Sequence, residues 1–398
     1  MESLKTLYKI GRGPSSSHTM GPEKACKIFK AEYGDADKYV VTLYGSLSAT
    51  GKGHLTDKVV EETLGKDKTE VIFGETEGDF FHPNTMKIRA EKYGETVAEK
   101  TFYSIGGGEI RIEGETYDKA KDLYPHNSFS EIKEFCKQNN LKLWQYVEVF
   151  DEPDLFDYLS KVWNAMQKCV RDGLSASGVL PGGLNTERKA KTLFEQYALN
   201  ESPVARQNRI VCAYAFACSE NNAGGGEVVT APTCGSCGVL PAVLKYLKDK
   251  NDIPEKEILK ALAVAGVIGN IVRTNASISG AECGCQAEVG VACAMSSAAV
   301  ASLYGMDIDQ IEYASEIAIE HHLGLTCDPI CGLVQIPCIE RNAVAALRAL
   351  NEVTLATFLT GSRKITFDEA VATMYETGRD LGNKYRETSK GGLAKLRK

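Results

Sequence analysis

"SFSEIKEFCKQNN", residues 128–140, marks the point where the chain changes character. Ser128 and Glu131 stand three apart, as in a capping box, where each side chain satisfies an orphan backbone N–H at a helix start. The stretch therefore predicts a helix. Before it, short segments rich in β-branched and aromatic residues predict strands: "KYVVTLYGS" (38–46), "TEVIFG" (69–74), "NTMKIRAE" (84–91), "VAEKTFYSI" (97–105) and "EIRIEGE" (109–115). Several alternate apolar and polar residues, and turns with Gly or Asn bound them. "PEKACKIFKAEYG" (22–34) predicts one helix among them, with Pro22 in its first turn and Gly34 as its stop.

After residue 128 strand signals vanish. Helical period runs through 155–174, 255–272, 309–325 and 339–353. "TFDEAVATMYETGRDLG" (366–382) repeats the capping-box pattern with Thr366 and Glu369 and ends on Gly382. The fold class expected is thus two-domain: a small α+β N-terminal domain, then an all-α domain whose helices are rich in Ala, Gly, Ser and Cys. The boundary is expected near 140–155, in the acidic "EVFDEPDLFD", giving domains at 1–145 and 150–398.

Composition narrows the function classes. At 398 residues, 43% hydrophobic and 25% charged, the chain has the make-up of a globular protein with a sizeable core. Its net charge is −7, and no Lys/Arg cluster exceeds the short "KLRK" at the end. That argues against nucleic acid or an anionic membrane as partner. No stretch is expected to reach the ~20 apolar residues of a membrane span. "MESLKTLYKIGRG" has no apolar leader core, so a cytoplasmic location is expected.

Thirteen cysteines are many for such a chain, and ten of them fall between Cys212 and Cys338. In a reducing compartment they serve as buried small hydrophobes, nucleophiles or metal ligands. Cys283, Cys285, Cys327, Cys331 and Cys338 stand beside Gly or Pro, in "SGAECGCQAEVG" (279–290) and "LTCDPICGLVQIPC" (325–338). Such turn positions let thiolates converge on one centre. Structural zinc would want four N/S ligands, commonly in paired knuckles. Only one CxxC exists, Cys234 and Cys237, and His321 and His322 are adjacent, so they point about 100° apart on a helix. Spread thiolates holding an iron–sulfur cluster and ordinary core packing both stay open on this reading. Three cysteine ligands would leave one iron free to act as a Lewis acid.

"GSLSATGKGH" (45–54) is one residue too long between Gly45 and Gly51 for a phosphate-binding loop, and Gly53 follows Lys52 where Ser or Thr is needed. The Gly runs at 106–108 and 224–226 lack a dinucleotide context. No lysine context suggests pyridoxal phosphate. His18, His54 and His82 each fall in polar, unpatterned loops of the small domain. Facing a Cys-rich helical domain, such loops suggest an interdomain cleft with histidine as proton carrier.

Seven segments, in order, resemble the iron–sulfur-dependent L-serine dehydratases (L-serine ammonia-lyases) in their single-chain form: "GPSSSHTMGP", "TGKGHLTD", "YSIGGG", "VLPGGL", "VVTAPTCGSCGVLPAVL", "SGAECGCQAEVG" and "LTCDPICGLVQIPCIERNA". The resemblance implies that the small domain is the family's β domain, akin to a regulatory domain of some phosphoglycerate dehydrogenases. The helical part would then be the catalytic α domain. It also implies a [4Fe–4S] cluster, with one iron not held by cysteine, on Cys285, Cys327 and Cys338. His18 and His54 match the histidines of proton transfer, with the choice of base left open. The implied reaction is L-serine to pyruvate and ammonia, in amino-acid catabolism and gluconeogenesis, by a homodimer without pyridoxal phosphate. Ser16, Ser17, Thr19, Asn84 and Thr233 are the candidates for orienting the substrate. The alternatives are a related lyase acting on L-threonine or L-cysteine, and a serine-binding regulator. Cys234, Cys237, Cys283 and Cys331 are left without a role.

Overall fold

The computed structural model describes residues 1–115, 121–196, 200–388 and 390–396. A short strand β1 (Ile10–Arg12) leads into one π-helical turn (Ser16–Met20), which continues as α1 (Gly21–Tyr33). Then follow β2 (Lys38–Leu43), α2 (Gly45–Thr50), α3 (Thr56–Leu64), β3 (Thr69–Phe73), β4 (Thr85–Lys92), β5 (Glu95–Gly106) and β6 (Glu109–Ile112). The last five strands form one mixed sheet in the order β3-β2-β4-β5-β6. β2 and β3 pair in parallel, Tyr39 opposite Thr69, and the other pairs are antiparallel. Helices α1 and α3 cover one face and enclose a core of Phe29, Val60, Ile88 and Phe102. The strands alternate because only that face is fully covered: Ile72 and Val97 are exposed on the sheet.

The rest of the chain is mostly helical. Its helices are α4 (Phe129–Gln138), α5 (Leu143–Phe150), α6 (Leu155–Ser175), α7 (Ala190–Glu195), α8 (Pro203–Ala223), and, after strand β7 (Glu227–Val229), α9 (Val239–Asn251) and α10 (Glu255–Asn275). Then come α11 (Gly280–Cys283), α12 (Val289–Leu303), α13 (Ile308–Glu320), α14 (Cys338–Leu359) and α15 (Phe367–Asp380). Both expected capping boxes form, Ser128 with Glu131 and Thr366 with Glu369. Asp368 also accepts the first backbone N–H groups of α4, from Phe129 at 2.8 Å and Ser130 at 3.0 Å. That contact and the Phe129–Phe367 ring pair bind α4 to α15. By packing, α4, α5 and the leading residues Leu4, Leu7 and Tyr8 all belong to the helical core.

The expectation that everything after residue 128 is helical needs one correction. β7 is a strand, and it pairs antiparallel with β1, Gly11 opposite Val228. A three-residue strand is too short to show periodicity in a sequence. A second correction concerns apolar length. The stretch Cys285–Leu303 is long and apolar enough to cross a membrane, but 83% of it is buried inside the helical body. Helix α12 is surrounded by α9, α10, α13 and α14, and every residue from Val289 to Ala301 is buried. A helix buried all round is apolar all round.

Small residues set how closely these helices approach. A Cβ built on Gly173 of α6 would stand 2.1 Å from the backbone oxygen of Ala217 in α8. Backbone cannot yield there as a flexible side chain would. Gly173→Ala should therefore destabilise the fold by about 2–3 kcal/mol, as overpacking does. Gly361→Ala, with nothing within 4 Å of its Cβ, should stay within about 0.5 kcal/mol of wild type. Chemical denaturation of both variants measures the difference.

Candidate active site

A cavity of about 750 Å³ lies between the two domains. The small domain contributes Ser15, Ser16, Ser17 and His54; the helical body contributes Thr233, Cys285, Glu288, Cys327, Cys338, Arg341 and Glu387. Seven of the ten residues singled out in the sequence thus share one cavity: Ser16, Ser17, His54, Thr233, Cys285, Cys327 and Cys338. His18, Thr19 and Asn84 do not line it.

The three cysteines arrive from element ends. Cys285 follows Gly284, whose φ of 73° reverses the chain between α11 and α12. Cys338 is the first residue of α14 and follows Pro337. Cys327 lies in a bridge with the C-terminal segment: its N–H donates to Tyr385 O, and Glu387 N–H donates to Cys327 O, both at 2.8 Å. Burial pushes the Cys285 thiol up to about 11, opposed by the Arg341 guanidinium beside it. Cys327 and Cys338 are raised as well, first by burial and then by charges that include Cys285.

The other cysteines lie elsewhere. Cys234 and Cys237 are buried in the helical core, Cys234 against the Met20 sulfur at 3.4 Å. Cys283 packs on Gly378 of α15. Cys331 is exposed.

The two histidines differ in what their nitrogens can do. Both are buried, with ring centroids 4.5 Å apart. His18 has both nitrogens engaged, Nδ1 with Ser17 Oγ at 2.9 Å and Nε2 with Ser46 Oγ at 3.0 Å. His54 Nδ1 donates to Thr50 O at 3.1 Å. A carbonyl only accepts, so this bond fixes the proton on Nδ1 and leaves Nε2 as a lone-pair acceptor. Nε2 has no hydrogen-bond partner, and Glu387 Oε1 lies 3.8 Å from it. Burial holds His54 down at about 4, so its imidazole is neutral near pH 7. His18 is lowered too, by burial first and by His54 second.

Thr19 acts on the backbone, donating from Oγ1 to His54 O at 2.8 Å. Asn84 stands outside the cavity and ties the β4 entry to β5 through Ser104 O at 3.2 Å. Thr233 Oγ1 donates to Glu288 Oε1 at 2.6 Å.

Sequence reasoning missed Glu288, Arg341 and Glu387. The first two carried a signal: a lone carboxylate opening an otherwise uncharged helix, and an Arg three residues after Cys338. Glu288 is raised by burial, and Glu387 is pushed up to about 8 by burial and by Glu288. Arg341 donates to Thr326 O at 2.5 Å and Asp328 Oδ1 at 3.2 Å. Gly280 keeps the floor open, since a Cβ there would stand 2.5 Å from Glu288 Oε2 and 3.3 Å from Cys327 Sγ.

Among the described residues, no group of three or more Cys, His, Asp or Glu is arranged to hold a metal ion. Two buried thiols and a half-buried third, with a guanidinium beside Cys285, nevertheless have the donor chemistry of a larger centre. Burial opposes three free thiolates, and a bound cationic centre would remove that opposition.

Two family models match the chain, the serine dehydratase beta chain over residues 3–69 and the serine dehydratase alpha chain over residues 68–394. L-serine dehydratase 1 of Escherichia coli (strain K12) is 40% identical, covering 99% of this chain and 99% of its own. L-serine dehydratase of Haemophilus influenzae is 38% identical over 99% of each chain, and that of Streptomyces coelicolor 38% over 98% of each.

The buried neutral His54 makes stability depend on pH. Between pH 7 and 5 the unfolded chain protonates this histidine near its ordinary 6.5, whereas the folded chain does so only near 4. The unfolded state then binds more protons, so stability is full above pH 6.5 and falls as pH drops toward 4. His54→Gln removes that term. Its unfolding free energy should fall by about 2 kcal/mol less than wild type between pH 7 and 5, measured by denaturant titration.

Proposed function

The chain belongs to the serine dehydratase family, and from that premise we propose that it converts L-serine to pyruvate and ammonia by β-elimination of water. The observation that carries this reading is the meeting of three cysteines and one free imidazole nitrogen in a single interdomain cavity. Cys285, Cys327 and Cys338 would hold a [4Fe–4S] cluster. When bound, such a cluster supplies an iron without a protein thiolate, a Lewis acid for the substrate's oxygens.

The chain's own residues do the rest. His54 is the base: its Nε2 takes the α-proton while Nδ1–H stays fixed on Thr50 O. General base catalysis of this kind contributes roughly 10²–10⁴-fold. The Cα–H electron pair becomes the C=C bond as the C–O bond breaks. The resulting aminoacrylate tautomerises to an imine and hydrolyses to pyruvate and ammonia. His18 supports His54 by ring contact and is itself tied by two serines, which argues against it as the base. The hydroxyls of Ser16 and Ser17 orient the substrate carboxylate, and Thr233 orients Glu288. Arg341 provides the positive charge that a thiolate at Cys285 favours. Burial of both histidines excludes water from the proton transfer.

Anaerobic purification with an iron count, a spectrum and a pyruvate assay on L-serine tests the reading. L-Threonine and L-cysteine run alongside discriminate the related lyases. A colourless, iron-free protein that binds serine without turnover would instead favour a regulator. Cys285→Ser, Cys327→Ser and Cys338→Ser should each abolish the visible absorbance expected of a thiolate-bound cluster. Cys234→Ser and Cys237→Ser should keep it. His54→Ala should lower kcat by about 10²–10⁴-fold with the absorbance intact, and His18→Ala by less.

A further inference from the structure

The C-terminal segment returns to the cavity and is anchored there twice. Its backbone pairs with Cys327 on both sides, through Tyr385 O and Glu387 N. Further along, Leu393 N–H donates to Asp328 Oδ2 at 2.7 Å. The first anchor ends on Glu387, at a φ of 56°. That is the left-handed region, where a residue with a Cβ is strained and glycine is not. The strain delivers one group: a carboxyl 16% exposed, with Oε1 3.8 Å from His54 Nε2. That nitrogen has no hydrogen-bond partner of its own. Strained backbone held by two anchors, ending on the one free atom of a buried imidazole, is the pattern of a functional constraint rather than of packing.

We propose that Glu387 is the positioning residue of His54. Its carboxyl group holds the free edge of the imidazole toward the substrate and accepts the hydrogen bond of the N–H that forms when Nε2 takes the α-proton. The proposal rests on the reading of His54 as the base of serine dehydration. Nothing is oxidised or reduced. The Cα–H bond breaks, its electrons form the C=C bond, hydroxide departs, and the proton on Nε2 leaves later with that hydroxide as water.

The test compares Glu387→Gln, Glu387→Asp and Glu387→Gly with wild type, all as full-length holoenzyme. Glu387→Gln keeps the shape and replaces the carboxyl group at 3.8 Å from His54 Nε2 by an amide. It should lower kcat for L-serine by at least about tenfold, leave KM within about twofold, and raise the isotope effect on kcat with α-deuterated serine, because proton transfer becomes more limiting. Glu387→Asp should recover part of kcat. Glu387→Gly suits the left-handed backbone, so its melting temperature should match or exceed wild type while kcat falls as in Glu387→Gln. Cluster absorbance should be unchanged in all three. A kcat within twofold of wild type in Glu387→Gln overturns the proposal. So does an unchanged isotope effect, or a loss of activity in Glu387→Gly that tracks a loss of melting temperature. A wild-type enzyme that forms no pyruvate from L-serine overturns the serine reading itself, and the proposal with it.

Discussion

The pairing of β1 with β7 fixes where the small domain stands, and the cavity exists because of it. Three residue pairs, from Ile10 with Val229 to Arg12 with Glu227, join segments more than two hundred residues apart. Neighbouring bonds extend the seam. Gly13 N–H donates to Gly226 O at 3.0 Å, Asn222 Nδ2 donates to Pro14 O at 3.0 Å, and Thr230 Oγ1 donates to Leu7 O at 2.6 Å. A two-stranded ribbon this short is marginal by itself. Here it is flanked by the packing of Leu4, Leu7 and Tyr8 on α10, so it acts as a clamp rather than as a sheet. Directly after the clamp, the chain enters the serine run. The direction of β1 therefore aims Ser15, Ser16 and Ser17 at the helical body.

The second constraint is electrostatic. The cavity floor gathers three thiols and two carboxyl groups, and burial raises every one of them. Each group therefore resists ionising, and each would be relieved by a cation. Arg341 supplies one positive charge, but Asp328 and Thr326 already share it. A multi-iron centre on the three cysteines would bring positive charge to the thiols themselves, and it would deprotonate them as it bound. The same burial acts in the opposite sense on histidine, where it favours the neutral form. One dry cavity accordingly prepares acids and a base together.

Most of the fold was legible because its elements obey simple periods. The five strands of the sheet and helices such as α6 and α15 have one buried and one exposed face, and the alternation shows. Helices α8 and α12 escaped that reading for a physical reason: neighbours surround α12 completely, so no face differs from another. The ribbon strands β1 and β7 escaped because three residues hold no period. For the site, Gly and Pro near Cys285, Cys327 and Cys338 pointed to turns; only Cys285 stands in one, while Cys327 lies in a β-bridge and Cys338 opens a helix. What no local pattern could show was which histidine keeps a free nitrogen. That depends on Ser46 and Thr50, two residues of one short helix that engage different rings.

Helix α2 is where this choice is made. It runs only from Gly45 to Thr50, and it spans the gap between β2 and the loop that carries His54. Its first turn presents the Ser46 hydroxyl to His18, and its last residue presents a carbonyl to His54. A hydroxyl can donate or accept, whereas a carbonyl only accepts. His18 can therefore satisfy both nitrogens as a neutral ring between two serines. His54 can satisfy one, and its other nitrogen must face the cavity without a partner. A buried acceptor left unpaired costs about 1–3 kcal/mol. The fold retains that cost at the point where a proton acceptor is useful, while spending two serines to quiet the ring behind it. The asymmetry between two adjacent histidines thus follows from the chemistry of the single turn that holds them.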